Sequence, residues 1–370
     1  MTKPRIIGWG EAAPMFRAPS PVNPIFDFSS TAGRYIALVF FGGSQNPRAA
    51  ELIKKIASEA PNRKGVLYFG VTSRSEDFTN DLVKTAFPYG HMFHDEDWSI
   101  AKQYGLVHKR EEDGATVFKP SWFLLDPTLR VYAAGELEKI DRLLQIEKNL
   151  PPAEHHAVQD EPWAPVLVVP RVLSKDYCER LIRHYNDGTP GESGFMRVRD
   201  GKTVPVFDHS FKRRMDVRIE DEALKAELRT SLQRRLIPQI KKAFQFEATR
   251  IERYIVACYD SKSQGFFKPH RDDTTPGTAH RRFAVTINLN AEGHEGGGLR
   301  FPEFGSRVYR APTGGAVVFS CSLLHEATPV ISGVRYATLP FLYGEQDAAI
   351  REAGKSTIED RPLPKAEEVA

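Results

Sequence analysis

The hydrophobic pattern of the chain changes character near its middle. In the first half, the apolar run "YIALVFF" at residues 35–41 is followed by the amphipathic stretch "PRAAELIKKIASEA" and then by the apolar run "GVLYFGVT". Short apolar runs predict buried strands, whereas apolar residues three or four positions apart predict helices. This alternation predicts a layered α/β domain.

The second half opens with two predicted helices and then becomes rich in strands. "SKDYCERLIRHYND" has Ser174 at a helix N-cap position, and in the next helical stretch leucines recur every four residues from Leu224 to Leu236. After residue 253, turn residues separate short apolar runs such as "RYIVACYD", "RFAVTINLN", "GAVVFS" and "VRYATLPFLYG". This series predicts an antiparallel sandwich or barrel with helices on one side.

Two stretches lack a hydrophobic period and suggest domain boundaries. Residues 151–164 are rich in proline and charge, which indicates a linker, and residues 347–370 are charged and largely aperiodic, which indicates a frayed tail. The predicted organisation is an α/β domain over residues 1–150, the linker, a second domain over residues 165–346, and the tail. A length of 370 residues agrees with two domains.

Composition and charge exclude several classes of protein. The chain is 41% hydrophobic and 27% charged, which is typical of a globular protein, and its net charge of +3 favours neither a nucleic-acid nor a membrane partner. It shows no signal-peptide pattern and no apolar run of about 18 residues, so we expect a cytoplasmic protein without a membrane partner. Three widely spaced cysteines argue against a disulfide framework.

The first half resembles the thioredoxin and peroxiredoxin superfamily over residues 8–148. The similar segments are "GEAAPMF", "ALVFFGGSQNPRAAELI" and "KPSWFLLDPTLRVYAAG". The resemblance implies a thioredoxin-like fold, an opening strand at "GEAAPMF" and a cis-proline at Pro120. Peroxiredoxin chemistry needs a thiolate of low pKa at the start of the active-site helix, but residues 42–47 read "GGSQNP" and no cysteine precedes Cys178. We therefore expect a scaffold, a docking module for a protein client, or an unassigned binding site.

His270 and Asp272 form a candidate pair of metal ligands in the second half. Side chains two positions apart point the same way on an extended strand. Such a pair also arises by chance at this composition, and His94-Asp95-Glu96 is a second instance. Only the first pair has a matching residue on a later aliphatic strand, which is His325. Two imidazoles and one carboxylate are the ligand set of non-haem Fe(II) oxygenases.

Arg335 lies in an apolar predicted strand shortly after His325. A guanidinium is costly to bury without an anion, and it forms bidentate pairs with carboxylates. Arg335 therefore indicates a dicarboxylic cosubstrate. Thr286 and Asn288 share one face of another predicted strand, and we expect this polar face to turn toward the pocket.

Several segments are similar to the prolyl 4-hydroxylase branch of the 2-oxoglutarate and Fe(II)-dependent dioxygenases. They are "ACYDSKSQGFFKPHRDD", "FAVTINLN", "EGHEGGGLRFPEFG", "GGAVVFSCSLLHEATPV" and "GVRYATLPFLYG", and the resemblance covers about residues 165–345. It implies a double-stranded β-helix, that is, a cupin-like jelly roll with flanking helices.

The resemblance also implies roles for individual residues. His270, Asp272 and His325 match the Fe(II) ligands, Arg335 matches the residue that binds the distal carboxylate of 2-oxoglutarate, and Tyr259 matches a tyrosine of the cosubstrate pocket. The implied activity is hydroxylation of a C–H bond in a peptidyl or amino-acid substrate. It consumes 2-oxoglutarate and O2, and ascorbate is a candidate reductant.

Two alternatives remain open at the level of sequence. A nucleic-acid demethylating dioxygenase would share the iron ligands, but it should carry a basic groove and a second arginine shortly after Arg335, which "RYATLPFLYG" lacks. A non-catalytic two-domain binding or scaffold protein is the other alternative, and the intact set of four residues argues against it.

The remaining polar features near the site have ordinary interpretations. Gly296-Gly297-Gly298 predicts a tight turn, because no Lys-Ser or Lys-Thr follows as in a phosphate loop. Asp273, His280 and His294 are expected in solvated loops. "FKRRMDVRI" at residues 211–219 is expected to form a salt-bridged strand rather than a substrate anchor.

Overall fold

The chain forms two compact units. A computed structural model describes residues 5–59, 65–109, 114–157 and 160–358. The first unit ends at Trp163 and the second begins at Ala164, while the short segment Pro302–Ser306 groups with the first. This division lies at the end of the predicted linker. Within the described ranges, no helix has both the length and the apolar character that crossing a membrane would require.

The first unit is built on a five-stranded sheet. Its elements are β1 (Arg17–Ser20), β2 (Asn23–Asp27), β3 (Tyr35–Gly42), α1 (Pro47–Glu59), β4 (Val66–Thr72), α2 (Asp81–Ala86), β5 (Met92–His94), α3 (Ser99–Gln103), β6 (Val107–Lys109), β7 (Thr116–Phe118), β8 (Ser121–Leu125), β9 (Val131–Glu136) and α4 (Ile140–Glu147). The sheet order is β5-β4-β3-β8-β9, in which β3, β4 and β5 are parallel and β8 and β9 are antiparallel. Ile53 and Ile56 of α1 are fully buried in the core. The layered α/β prediction agrees with this arrangement.

Two details expected from the resemblance are wrong in this unit. "GEAAPMF" does not form a strand: β1 begins later, and Ala12 makes only an isolated bridge with Arg130. Pro14 lies within that segment and has no N–H to donate to a strand ladder. Pro120 is not a cis-proline, because the described residues contain no cis peptide bond.

The described part of the second unit contains two large antiparallel sheets, a two-stranded sheet, and helices. Its elements are β10 (Leu167–Val169), α5 (Lys175–Asp187), β11 (Gly191–Glu192), β12 (Phe195–Arg199), β13 (Lys202–Val206), β14 (Lys212–Arg213), β15 (Met215–Arg218), α6 (Glu222–Ser231), α7 (Ile237–Phe244), β16 (Arg250–Glu252), β17 (Ile255–Asp260), β18 (Phe266–His270), β19 (Phe283–Asn288), β20 (His294–Gly296), β21 (Leu299–Arg300), β22 (Val308–Tyr309), β23 (Ala316–Ser320), β24 (His325–Ala327), β25 (Val330–Thr338), β26 (Phe341–Tyr343) and α8 (Glu345–Lys355). The larger sheet has the order β10-β23-β19-β25-β17-β15-β11, with β16, β20 and β26 attached, the other large sheet has the order β14-β18-β24-β21-β22, and β12 and β13 form the two-stranded sheet. This architecture agrees with the predicted antiparallel class.

The helices of the second unit form where the sequence predicts them. Ser174 caps α5 by accepting a hydrogen bond from the Tyr177 amide. A π-helical turn at Leu232–Leu236 joins α6 to α7. The predicted row of apolar residues is fully buried at Leu228, Leu232, Leu236 and Ile240, and these side chains belong to the core formed with the larger sheet. The four-residue spacing therefore marks the face that holds the helices against the sheet.

The hairpin of β12 and β13 is absent from the sequence prediction. Asp200 and Gly201 form its turn with φ angles of +52° and +74°. Positive φ at both central residues is the requirement of a type I′ hairpin turn, which an Asp-Gly pair meets at low cost. The dipeptide was therefore the available marker for this hairpin.

The predicted frayed tail is wrong for its first part, because Glu345–Lys355 forms α8. Asp347 is buried and accepts hydrogen bonds from the Gly344 amide at 2.9 Å and from Arg282 Nε at 2.6 Å. These bonds fix the start of the helix to the segment that enters β19. Residues 359–370 of the predicted tail lie outside the described residues.

We predict that Asp347→Ala lowers the free energy of unfolding of the second unit by about 1–3 kcal/mol, because it removes charge-assisted hydrogen bonds at a buried position. Chemical denaturation of the full chain, followed by fluorescence, measures the change. Glu352→Ala is the matched control on the same helix, since its exposed ion pair with Lys355 contributes little. Equal stability of the two variants would contradict an anchoring role for Asp347.

Candidate metal centre

Strand pairing brings the two candidate histidines together. β18 pairs antiparallel with β24 so that His270 lies opposite His325, and their ring centroids are 4.2 Å apart. Asp272 follows two residues after His270, where its amide donates to the Cys321 carbonyl at 2.9 Å. Its Oδ1 lies 3.7 Å from His270 Nε2 and its Oδ2 lies 3.3 Å from His325 Nε2.

The hydrogen bonds of the two imidazoles fix their tautomers. His270 Nδ1 lies 2.8 Å from the Lys268 carbonyl oxygen, and His325 Nδ1 lies 3.0 Å from the Leu323 carbonyl oxygen. Because a carbonyl oxygen can only accept, each Nδ1 carries the proton and each Nε2 presents a lone pair in the neutral ring. Burial, followed by the proximity of His325, lowers the pKa of His270 well below its usual value. The ring is therefore neutral.

Two imidazoles and one carboxylate thus converge on one point. Burial raises the pKa of Asp272, but His325 and His270 outweigh burial and hold that pKa below its ordinary value, so the carboxyl group is ionised. The ligand atoms of His270, Asp272 and His325 lie within 4.8 Å of one another, and this is the metal-compatible cluster in the described ranges. The residues present therefore fit a divalent metal with Nδ1-anchored imidazole ligands.

Aromatic side chains hold the imidazoles in place. Phe267 stacks on His270 with 3.5 Å between ring centroids, and Phe319 lies 4.5 Å from the ring of His325. Both phenylalanines also line the cavity in which the three ligands lie. Their rings restrict the imidazoles and give the cavity an apolar wall.

Arg335 lines the same cavity from the larger sheet. It is 2% exposed, and within the described part of the chain it forms no ion pair with a carboxylate. Its guanidinium carbon lies 4.9 Å from the centroid of Tyr259, and burial lowers its pKa. A buried guanidinium without a carboxylate partner is a site for an anionic ligand.

Gly297 makes room for Arg335. Its φ angle is +69°, and a Cβ at this position would lie 2.8 Å from Arg335 Cδ. Gly296 is also at positive φ, so the predicted glycine turn joins β20 to β21 as expected. The turn therefore connects the two strands and also leaves space for the side chain of Arg335.

The other predicted pocket residues divide into two groups. Tyr259 and Thr286 line the cavity. Asn288 is not among the residues that line it: the side chain is buried and Nδ2 donates to the Ala311 carbonyl at 2.7 Å. The expected pocket position of Asn288 is therefore wrong, because its side-chain amide donates a hydrogen bond to a backbone carbonyl instead.

The competing group near His94 has a structural role. Asp95 is buried and accepts hydrogen bonds from the amides of Ile100 and Ala101 at 2.9 Å. These amides belong to the first turn of α3, where N–H groups lack helical partners. The residue spacing that this group shares with His270 and Asp272 thus reflects a helix start.

Two further expectations need correction. His280 and His294 are 2% and 6% exposed, so they are not solvated loop residues. His280 bonds to Glu252, and burial is the main cause that lowers the pKa of His294 to about 4. Neither residue lines the cavity with the three ligands. The residues next to these histidines in the sequence do not form an apolar pattern that would have predicted their burial.

The cavity also contains two arginines that the sequence did not assign to it. Arg214 and Arg253 are among its lining residues. Arg214 bonds to Asp216 at 2.7 Å, which confirms the predicted salt-bridged strand for this pair. Arg253 has no carboxylate partner within ion-pair distance in the described ranges. Its position before a strand, without a recognisable motif, explains why it was missed.

In the first unit, the loop before α1 is held by a buried carboxylate. The hydroxyl groups of Ser44 and Thr72 both donate to Asp77, and the Ser44 amide lies 3.2 Å from Asp77 Oδ1. Asp77 is 2% exposed. Ser44 therefore holds its loop to the segment that follows β4.

Comparisons with known proteins give a family match and several similar proteins. Residues 254–343 match the family model described as the 2OG-Fe(II) oxygenase superfamily. A multifunctional procollagen lysine hydroxylase and glycosyltransferase of Rattus norvegicus is 29% identical over 181 residues, which are 46% of this chain and 22% of that protein. The chain thus matches about a fifth of the length of this relative.

Two solved structures represent the structural matches. A prolyl-4-hydroxylase of Pseudomonas putida has a TM-score of 0.35 and 18% identity, covering 49% of this chain and 93% of that one. A peroxiredoxin-like protein from Aquifex aeolicus has a TM-score of 0.34 and 12% identity, covering 40% of this chain and 90% of that one. The family match over residues 254–343 and the lysyl hydroxylase relative support a 2OG-Fe(II) oxygenase domain.

We predict that His325→Ala weakens binding of Fe(II) or Mn(II) by more than about 100-fold, because losing a ligand should cost more than losing an outer hydrogen-bond partner. Anaerobic equilibrium dialysis measures the affinity. His94→Ala is the control, since His94 belongs to the competing sequence motif. Retained affinity in His325→Ala, or an equal loss in His94→Ala, would refute the assigned ligands.

Proposed function

We propose that the protein is an Fe(II)- and 2-oxoglutarate-dependent dioxygenase that hydroxylates a C–H bond in a peptidyl or amino-acid substrate. The observation that supports this most strongly is the position of Arg335. A buried guanidinium without a carboxylate partner lines the cavity in which the ligand atoms of His270, Asp272 and His325 converge. A metal and a dicarboxylic cosubstrate together satisfy both groups.

His270, Asp272 and His325 would hold Fe(II) as two imidazoles and one carboxylate. When bound, the iron supplies the activation of dioxygen that oxidation of a C–H bond needs. The chain's own residues orient the reactants. The carbonyls of Lys268 and Leu323 fix the two imidazole rings, so that both Nε2 atoms face Asp272 before metal arrives.

Arg335 would bind the distal carboxylate of 2-oxoglutarate. Its planar guanidinium offers two parallel N–H donors, which match a carboxylate and restrict its orientation. Tyr259 packs near the guanidinium and limits its movement. Phe267 and Phe319 exclude water from the side of the cavity next to the imidazoles. These contacts favour one position of the cosubstrate over solvated alternatives.

The first test is turnover of 2-oxoglutarate. We predict that wild-type protein with Fe(II), O2 and ascorbate forms succinate, and that His270→Ala lowers the rate at least about 100-fold. Succinate is measured by mass spectrometry. His209→Ala is the control, because that imidazole is 71% exposed and pairs with Glu192. Absence of succinate from metal-loaded wild-type protein would favour the binding or scaffold alternative.

The second test concerns Arg335. We predict that Arg335→Gln raises KM for 2-oxoglutarate by roughly 10- to 100-fold, because charge-assisted hydrogen bonds contribute about 1.5–3 kcal/mol. Arg229→Gln, on the exposed face of α6, should leave KM unchanged. An unchanged KM in Arg335→Gln would show that another group binds the cosubstrate.

A further inference from the structure

The arginines of the cavity differ in how their charges are balanced. Arg214 bonds to Asp216 at 2.7 Å, so that pair is neutral. Arg335 is the proposed partner of 2-oxoglutarate. Arg253 is the third arginine that lines the cavity, and the described part of the chain offers it no carboxylate within ion-pair distance. Its charge is therefore available to a ligand.

Arg253 is nevertheless held in a defined position. Its Nε and Nη2 donate to the Leu339 carbonyl at 2.8 and 2.6 Å, and its guanidinium carbon lies 4.2 Å from the centroid of Phe341. A carbonyl oxygen orients the guanidinium but leaves its positive charge uncancelled. The residue also has φ +69°, a left-handed conformation that costs on the order of 1 kcal/mol outside glycine. The side chain is thus pre-oriented.

The electrostatic surroundings of Arg253 favour an additional anion. Burial lowers the pKa of Arg253 to about 10, and repulsion from Arg214 and Arg281 acts in the same direction. Asp272 and Asp216 act in the opposite direction but do not offset these effects, so Arg253 stays charged at neutral pH in surroundings that disfavour the charge. Arg281 is paired with Glu252 at 2.6 Å, so that carboxylate is already engaged. An anion near Arg253 would relieve this repulsion.

The charge balance of the site with metal and cosubstrate bound indicates the charge of that anion. Fe(II) and the 2-oxoglutarate dianion cancel, and Asp272 offsets one of the two arginines that remain unpaired. Among the side chains that line the cavity, with Arg214 paired to Asp216, one positive charge is left, which a monoanion neutralises. A carboxylate carries this charge at neutral pH, whereas a phosphate monoester carries nearly two. Within a peptide chain, the backbone carboxyl groups have been converted to amides, which carry no charge.

We propose that Arg253 binds a carboxylate of the primary substrate, so that this site selects a free amino acid over the same residue with its carboxyl group blocked. The inference rests on the proposed function and deepens it, since it decides between peptidyl and amino-acid substrates. Arg253 is a specificity-determining residue in this view. The Leu339 carbonyl and the Phe341 ring hold it in place for the incoming carboxylate.

The test compares acids with their matched amides. Full-length protein loaded with Mn(II) and 2-oxoglutarate is titrated by calorimetry with L-proline and L-prolinamide, and with L-lysine and L-lysinamide. We expect at least one acid to bind about 10-fold or more tightly than its amide, as a charge-assisted pair predicts. The same acid should increase succinate formation by the Fe(II)-loaded protein.

Variants at Arg253 assign the preference to this residue. Arg253→Met should abolish the preference for the acid, whereas Arg253→Lys should restore part of it. Arg250→Met is the control, because this arginine is exposed, pairs with Glu345 and lies three residues earlier. It should retain the full preference. If Arg253→Met fails to fold, Arg253→Lys is compared with wild type instead. A weaker preference for the acid in Arg253→Lys then shows that the preference depends on the guanidinium.

The outcomes separate this inference from the proposed function. If wild-type protein forms succinate but binds acids no better than amides throughout the panel, the inference is overturned and the proposed function stands. A rise in KM for 2-oxoglutarate in Arg253→Met, with the acid preference intact, also overturns it, because Arg253 would then serve the cosubstrate. If wild-type protein forms no succinate, the proposed function itself fails.

Discussion

The pairing of β18 with β24 is the interaction on which the site depends. It places His270 opposite His325, and the side-chain period of two in a strand turns both imidazoles toward the same cavity. A shift of one residue in this register would turn one histidine to the other face. The carbonyls of Lys268 and Leu323 then fix each ring by the same local device, a bond from Nδ1 to the residue two positions earlier. Sheet register therefore sets the position of the two imidazoles, and the local bonds set their tautomers.

The second constraint is the excess of positive charge near the Asp272 carboxylate. Arg214 is neutralised by Asp216, two residues later, whereas Arg335 and Arg253 have no such partner in the described ranges. Uncompensated charge is unfavourable in a cavity with apolar walls. Other contacts position both side chains, and under the proposed function bound anions would balance their charge. Binding affinity for anions and the stability of this region are thereby linked.

The sequence predicted the parts of the site that follow from simple periodicity or from desolvation. His270 and Asp272 followed from the period of two, and Arg335 followed from the cost of burying a charge in an apolar strand. Asn288 was misplaced because strand periodicity gives a face but not the nearest hydrogen-bond acceptor. Arg253 was missed because its position depends on a left-handed backbone and on a carbonyl 86 residues away, and neither is visible in a local pattern. Most predicted strands and helices were confirmed, whereas α8 and the hairpin of β12 and β13 were not foreseen.

Gly297 has an importance that its chemistry would not suggest. It carries no functional group, yet the stem of Arg335 occupies the space that any side chain there would need. Adding a methyl group would displace the guanidinium without removing it, and the resulting kinetic defect would mimic loss of the arginine itself. Natural variation at this turn is therefore restricted by the geometry of a residue on another strand. In genetic data, a harmful allele at this glycine would act through the position of Arg335 as well as through the left-handed backbone of the turn.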